Sequence, residues 1–354
     1  MRRIAPFFVA CCLPLAGGCD PYIAHLIDGQ IANLQRIQPI EEALTDPILS
    51  EAERATLNYT PDIRQYAIDV IGLTPGDAYT VFDPNGSTPA AYVLAASARD
   101  RLEPYIWFFP IFGFTPAKGF FDVEMGRAEA LALREAGWDV LYARADGFST
   151  LGLFPDPVRQ SNLSMDLADF AELLMHEMTH STVFKFDDAD FAESMATFVG
   201  RKAAESWFVA RFGEDAEATR RARLRWADKE IFDAYVVELY SRAGAFYDDA
   251  HAQGKSHDQI LVERETLFAE LSQLFESDFQ PQLNLPDEWA FAANPTIDNA
   301  MILAGVRYQS GLDLYEAVFE AVGRDFPQLL SVLQAAANET NSREYLQNWL
   351  AERT

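Results

Sequence analysis

Beyond residue 19 the chain has no cysteine. All three, Cys11, Cys12 and Cys19, fall in the first nineteen of 354 residues, so the body can hold neither an intramolecular disulfide framework nor a thiolate-ligated zinc. Cations are scarce as well: 28 Lys plus Arg stand against 54 Asp plus Glu, a formal net charge of −26. That balance argues against a nucleic-acid partner, because phosphate contacts need clustered cations. No uninterrupted apolar run reaches the ~20 residues of a bilayer-spanning helix, which rules out a polytopic membrane protein. Histidine is rare, with five in all, so where the histidines sit carries weight. What is present, 49% hydrophobic and 13% aromatic residues, is the composition of a globular chain of one or two domains with a sizeable core.

The first residues read as an address. Arg2 and Arg3 precede a mostly apolar run from Ile4 to Leu15, interrupted by Pro6 and Pro14 and followed by Leu15-Ala16-Gly17-Gly18-Cys19. A positive start, an apolar stretch too short for a span and a small-residue exit make an export signal over residues 1–18. The exit resembles a bacterial lipobox, with Ala16 where Leu is usual, and implies lipidation of Cys19 and a membrane-anchored protein of the cell envelope. Ordinary cleavage to a soluble exported product is the rival reading.

Apolar positions from Tyr22 to Ile37 recur at three and four, so residues 19–75 are expected to be a helical region punctuated by Pro39, Pro47 and Pro61. The texture then changes. Tyr79 to Asp83, Ala90 to Ala96, Tyr105 to Phe109 and Trp138 to Arg144 are β-prone, the first two around Pro84-Asn85-Gly86. Asp122 to Ala136 reads as a helix capped by Asp122 and stopped by Gly137, and the whole as one small mixed sheet with a covering helix. After Pro157 the pattern is helical to the end, broken near Gly213, Gly254, Pro281 to Pro286, Gly311 and Gly323. Residues 76–212 are expected to carry the sheet and the site, and 213–354 to form a helical C-terminal region packed on them. The cluster Arg220, Arg221, Arg223 and Arg225 reads as a solvated helix face with neighbouring acids, in preference to a membrane or acidic-peptide contact.

The chemistry is concentrated in Ser164 to Lys185, SMDLADFAELLMHEMTHSTVFK. Ser164 can cap a helix, Asp166 suits its first turn, and Leu163, Leu167, Phe170 and Leu174 form an inward stripe. His176-Glu177-Met178-Thr179-His180 lies on that helix. At 3.6 residues per turn the two histidines are about 40° apart, so both can reach one metal ion, with Glu177 set to the side as a general base. A catalytic zinc takes a third protein ligand and keeps one position open. Glu193 is the best carboxylate, on a second helix that an Asp187-Asp188 turn would fold back antiparallel to the first. Glu205 is the fallback. Thr197 and Glu172 are candidates to accept a hydrogen bond from a ligand imidazole, with packing and solvation as the rival readings.

These residues resemble a family of bacterial zinc aminopeptidases, predicted lipoproteins in which an HExxH helix is followed closely by a glutamate helix. The resemblance is collinear over nearly the whole mature chain. It is carried by Gly119-Phe120-Phe121-Asp122, Phe148-Ser149-Thr150-Leu151-Gly152 with Asp156-Pro157, the HEMTH string, Glu193-Ser194 with Ala196-Thr197-Phe198, and Asn299-Ala300 with Tyr308. Ala192 stands where the family usually has Asn, and Gln309 where it has a second aromatic. The resemblance implies zinc ligation by His176, His180 and Glu193, catalysis by Glu177, and a zincin-like, mainly helical α+β fold.

The expected reaction is zinc-assisted hydrolysis of a peptide substrate, with Tyr308 as a candidate donor to the oxyanion. The segment around Ser149 and Thr150 is a candidate sheet edge that pairs with an extended peptide. The competing readings are a zinc endopeptidase, and a non-catalytic envelope lipoprotein with a structural zinc or a scaffold or chaperone role. The last predicts a closed four-ligand site, in which Glu177 would have no use.

Overall fold

A computed structural model describes residues 21–86, 88–109, 113–145, 154–185, 187–292, 296–309 and 311–353. Cys19, Ser149 and Thr150 lie outside the described residues. The fold is mainly helical with small sheets. The N-terminal region contains helices α1 (Pro21–Arg36), α2 (Ile40–Ala43), α3 (Glu51–Leu57) and α4 (Thr60–Tyr66), with the two-residue strand β1 (Gln38–Pro39) between the first two. Ser50 caps α3 in a reciprocal capping box with Glu53.

The β-prone runs do not join into one sheet. Strand β2 (Val81–Asp83) pairs antiparallel with β1 and parallel with the late strand β8 (Val158–Arg159). A second sheet has the order β6 (Lys118–Phe120), β3 (Ala91–Ser97), β7 (Asp139–Ala145), all antiparallel. A separate hairpin is formed by β4 (Trp107–Phe109) and β5 (Gly113–Thr115). The Pro84-Asn85-Gly86 turn therefore separates two sheets instead of joining one hairpin. The reason is non-local: β2 finds its partners about 40 and 75 residues away in sequence, and no local pattern marks that choice. Helix α5 (Val123–Glu135) covers the second sheet, and Asp122 caps it as expected, its side chain accepting from the amides of Glu124 and Met125.

From residue 160 on the described chain is helical. A 3₁₀ turn over Gln160–Ser164 leads into α6 (Leu167–Thr182), followed by α7 (Ala189–Phe212), α8 (Glu217–Ala252) and α9 (His257–Leu274). Short π and 3₁₀ turns then precede α10 (Asn299–Gln309), α11 (Leu312–Ala321), α12 (Phe326–Ala337) and α13 (Ser342–Ala351). The principal core runs through all three expected regions. It joins Leu57 and Ile63 of the N-terminal helices to Leu174, Trp207, Tyr315, Leu333 and Leu346. A second cluster lies among α8, α9 and α10, and a third under the β6-β3-β7 sheet. Three of the four arginines face acids as read from the sequence: Arg223 holds Glu205 at 3.0 Å and Glu214 at 2.8 Å, and Arg221 and Arg225 meet at Glu288, while Arg220 donates to the backbone carbonyl of Asp215.

Candidate metal centre

The site is built by α6 and α7 packed against each other. Helix α6 is capped by Asp166, whose carboxylate accepts from Ala168 N at 2.9 Å. The cap falls there, not at Ser164, because the 3₁₀ turn consumes residues 160–164. On its inward side Phe170, Ala171, Leu174, Met175 and Met178 are without solvent exposure, as is Thr179. Helix α7 is capped by Asp188, accepting from Phe191 N at 2.9 Å, so the short link after α6 reverses the chain. At the crossing sits Gly200, where a Cβ would come within 2.9 Å of His176 N and 3.1 Å of Glu172 O. Glycine is what lets the two backbones approach this closely.

The approach brings three donors together. His176 Nε2 lies 3.2 Å from His180 Nε2. Glu193 Oε2 lies 3.3 Å from the first and 3.6 Å from the second. A tetrahedral ion with bonds of ~2.0–2.1 Å holds its ligand atoms about 3.3 Å apart, so these separations fit one small divalent cation. Within the described residues this is the group of three His, Cys, Asp or Glu side chains whose ligand atoms lie within 4.8 Å of one another. Both imidazole rings are held nearly perpendicular, at 83°.

The electrostatics follow from burial. Burial alone would raise the Glu193 carboxyl, but hydrogen bonds from His176 and His180 and their charge hold it well below the usual carboxylate range. Burial would likewise lower His176, and its bond to Glu193 with the Glu177 charge reverses that and raises it. Glu177, adjacent to the first ligand, is pushed up by burial against the pull of both histidines. His180 Nδ1 is buried with no hydrogen-bond partner among the described residues.

The other expected residues fall into place unequally. The Tyr308 ring on α10 lies 6.3 Å from the His176 ring; the residue is 40% exposed, and the protein packed around its phenol, with the Glu193 charge, raises it. Thr197 is buried one turn beyond Glu193 and makes no hydrogen bond to either imidazole among the described residues. Glu172 is buried but turned toward α8: its Oε2 accepts from Trp226 Nε1 at 3.0 Å and Lys229 Nζ at 2.7 Å. Those bonds, with Arg201 at 3.6 Å from Oε1, occupy the carboxylate that would otherwise support a ligand imidazole. Glu205 is committed to Arg223. The remaining histidines bond elsewhere, His25 to the amides of Phe121 and Asp122, His251 and His257 to Asp100.

Two neighbours of Glu177 were not marked by the sequence. Arg159, buried at the end of β8, has its guanidinium lowered by burial against the charges of Asp83, Tyr79, Asp156 and Glu177. Tyr79, buried with a left-handed φ of 59°, is raised by burial and by Glu177. A non-glycine residue at positive φ leaves no local sequence signature. Gly200 did leave one, an isolated glycine inside a helix, which signals close packing.

The family model that matches the chain is described as "Putative aminopeptidase" and covers residues 21–346. No curated protein and no solved structure matches.

Proposed function

The chain belongs to the putative aminopeptidase family, and from that premise we propose that it is a zinc-dependent peptidase acting at the α6–α7 centre. The observation that carries the reading is the convergence of His176, His180 and Glu193 at tetrahedral spacing. These three would hold the ion. When bound, zinc polarises the scissile carbonyl and acidifies a water. Glu177 takes the proton of the attacking water and passes it to the departing amine nitrogen. Its raised carboxyl suits that role, since a base must hold the proton between the two steps. Tyr308, beside the His176 ring, donates its phenolic hydrogen to the oxyanion of the tetrahedral adduct. The positive charge of Arg159 favours the ionised form of Glu177 and so opposes the effect of its burial.

The same reading places the protein in the cell envelope, anchored through lipidated Cys19 and cleaving peptides there. Glu177→Gln should keep zinc at the parent stoichiometry, measured by elemental analysis, and lower peptide turnover by about 10²–10⁴-fold. A fully active variant overturns the assignment of the base. A panel of short peptides with free and acetylated N-termini decides between exo- and endopeptidase: faster cleavage of the blocked series removes the aminopeptidase specificity.

A further inference from the structure

The metal centre is open to solvent on one side. The His180 and His176 side chains are 9% and 14% exposed, but that of Glu193 is 27% exposed and Tyr308 is 40%. The mouth therefore lies where the first turns of α7 face the C-terminal half of α10. One turn before Glu193 on that rim stands Asp190, with its side chain 63% exposed, and the residue preceding Tyr308 reaches it: Arg307 Nε donates to Asp190 Oδ1 at 3.1 Å. Adjacent residues of α10 thus flank the centre, Tyr308 at the His176 ring and Arg307 at the turn of α7 that leads to the third ligand.

A guanidinium has five N–H donors, and Asp190 takes one of those of Arg307. Its two Nη groups carry no hydrogen bond among the described residues and are not sealed from solvent. The rest of the side chain is enclosed, 12% exposed, so the protein holds this cation in place. Arg343 approaches the same turn, its Nη2 donating to Ser194 Oγ at 3.1 Å and Asp190 O at 3.4 Å. In a chain where acids outnumber bases by 54 to 28, two guanidinium groups thus gather beside the mouth. The exposed Asp190 is a weak partner, because solvent screens a pair of this kind, whereas the planar fork of arginine matches a carboxylate with two parallel bonds.

The spacing says which part of a peptide would meet it. Three helical residues separate Asp190 from Glu193, a rise of about 4.5 Å, and an extended peptide advances about 3.3 Å per residue. With the scissile carbonyl at the three ligands, the group level with Arg307 lies one or two residues along the substrate. We propose that Arg307 is a specificity-determining residue that binds a substrate carboxylate one or two residues from the scissile bond, supplied by the C-terminus of a di- or tripeptide or by an acidic side chain. This rests on the peptidase reading of the α6–α7 centre.

The test compares kcat/KM of the zinc-loaded full-length chain on two substrate pairs. Trialanine against its C-terminal amide reports a terminal carboxylate, and tetra-alanine amides with Glu or Gln at the second or third place report a side chain. The charged member of at least one pair should be favoured by about 10- to 100-fold, and the pair that shows it identifies the source. Arg307→Gln should bring that ratio to within about twofold of one, mainly through KM, and Arg307→Lys should recover part of it. Asp190→Asn should act in the opposite direction, raising the ratio about two- to fivefold by removing the competing carboxylate. A pair that only fastens α10 to α7 predicts that the two variants behave alike. Equal rates within both pairs overturn the proposal, and so does an Asp190→Asn variant that loses the preference as Arg307→Gln does. Calorimetric titration of the same peptides into Glu177→Gln separates the two readings. Binding that prefers the charged peptides, without turnover by the parent, removes the peptidase reading and supports Arg307. Turnover without preference overturns Arg307 alone, and neither binding nor turnover overturns both.

Discussion

Helix α6 presents two clusters of buried charge one turn apart, and they are built oppositely. Around Glu172 the charges are matched from within the chain. Lys229 bonds Glu172 at 2.7 Å and Asp169 at 2.9 Å, Arg225 holds Asp169, Arg201 holds Asp233 at 2.9 Å, and Trp226 donates its ring N–H. Around Glu193, one carboxylate meets two imidazoles whose Nε2 atoms face each other at 3.2 Å, and Glu177 adds a second acid. The first cluster supplies its own cations and so fastens α6 to α7 and α8. The second has only the two imidazoles to set against Glu193 and Glu177, and on the proposed function a divalent cation would complete it. The acids around α6 thus divide by what neutralises them, and the proposed function assigns the first cluster to the fold and the second to chemistry.

Removing Glu193 should break the second cluster alone and gives the largest effect. Glu193→Ala takes away one of the three proposed ligands, so zinc affinity, read by competition with a chromogenic chelator, should fall by more than about 100-fold, beyond the usual effect of losing a supporting residue. Peptide turnover should be lost with the metal. The metal-free variant should melt close to the metal-free parent, because the Glu172 cluster is untouched. A large loss of metal-free stability would mean that the two clusters are not separable.

Glu172→Ala is the reciprocal cut. It leaves Lys229 and Arg201 short of a buried partner, which should lower unfolding stability by about 3 kcal/mol in denaturant melts while zinc stoichiometry holds at the parent value. The pH dependence sharpens it. Burial would raise Glu172 and Asp169, but Lys229, Arg201 and Arg225 overcome burial and hold both carboxyls below their ordinary values. A carboxyl depressed in the folded state stabilises above its unfolded pKa, and that stability is lost as pH falls through the carboxylate range toward the folded value. The parent should therefore weaken on acidification from about pH 7 to about pH 3, and the variant should weaken less steeply. Equal slopes would remove Glu172 from the stabilising set.

How far the sequence reveals this contrast depends on the range of each interaction. The two histidines and Glu177 were readable because helical period alone sets their relation, and Glu193 because the aspartates after α6 force an antiparallel return. The cap at Asp122 is equally local. The cap at Asp166 was misplaced to Ser164 because the start of α6 depends on the 3₁₀ turn after β8, whose partner β2 is distant in sequence. The same cause hid the division into three sheets and the burial of Arg159 at the end of β8. Glu172 was visible as a helical acid one turn before His176, but its partners Trp226 and Lys229 lie more than fifty residues on, and spacing on α6 cannot tell a residue facing a metal from one facing another helix.

Gly200 tests whether the clusters share one structural support. Its Cα lies where a methyl group would press on the backbone of α6, 2.9 Å from His176 N and 3.1 Å from Glu172 O, so it touches the first residue of one cluster and the key acid of the other. Gly200→Ala gains about 1 kcal/mol of intrinsic helix preference. Against that, the neighbour is backbone and cannot swing aside, so α6 and α7 must separate by a few tenths of an ångström, an overpacking cost of about 1–3 kcal/mol. The net should be a small destabilisation in a thermal melt, below that of Glu172→Ala. Zinc affinity should respond more than stability does. The histidines stand on α6 and Glu193 on α7, so separation lengthens only the distances between ligands, whereas the long Lys229 and Arg201 side chains can follow a carboxylate that moves. A stabilised variant with parent zinc affinity would show that the helices have room to spare, and that the spacing of the three donors is set by their side chains and not by the glycine.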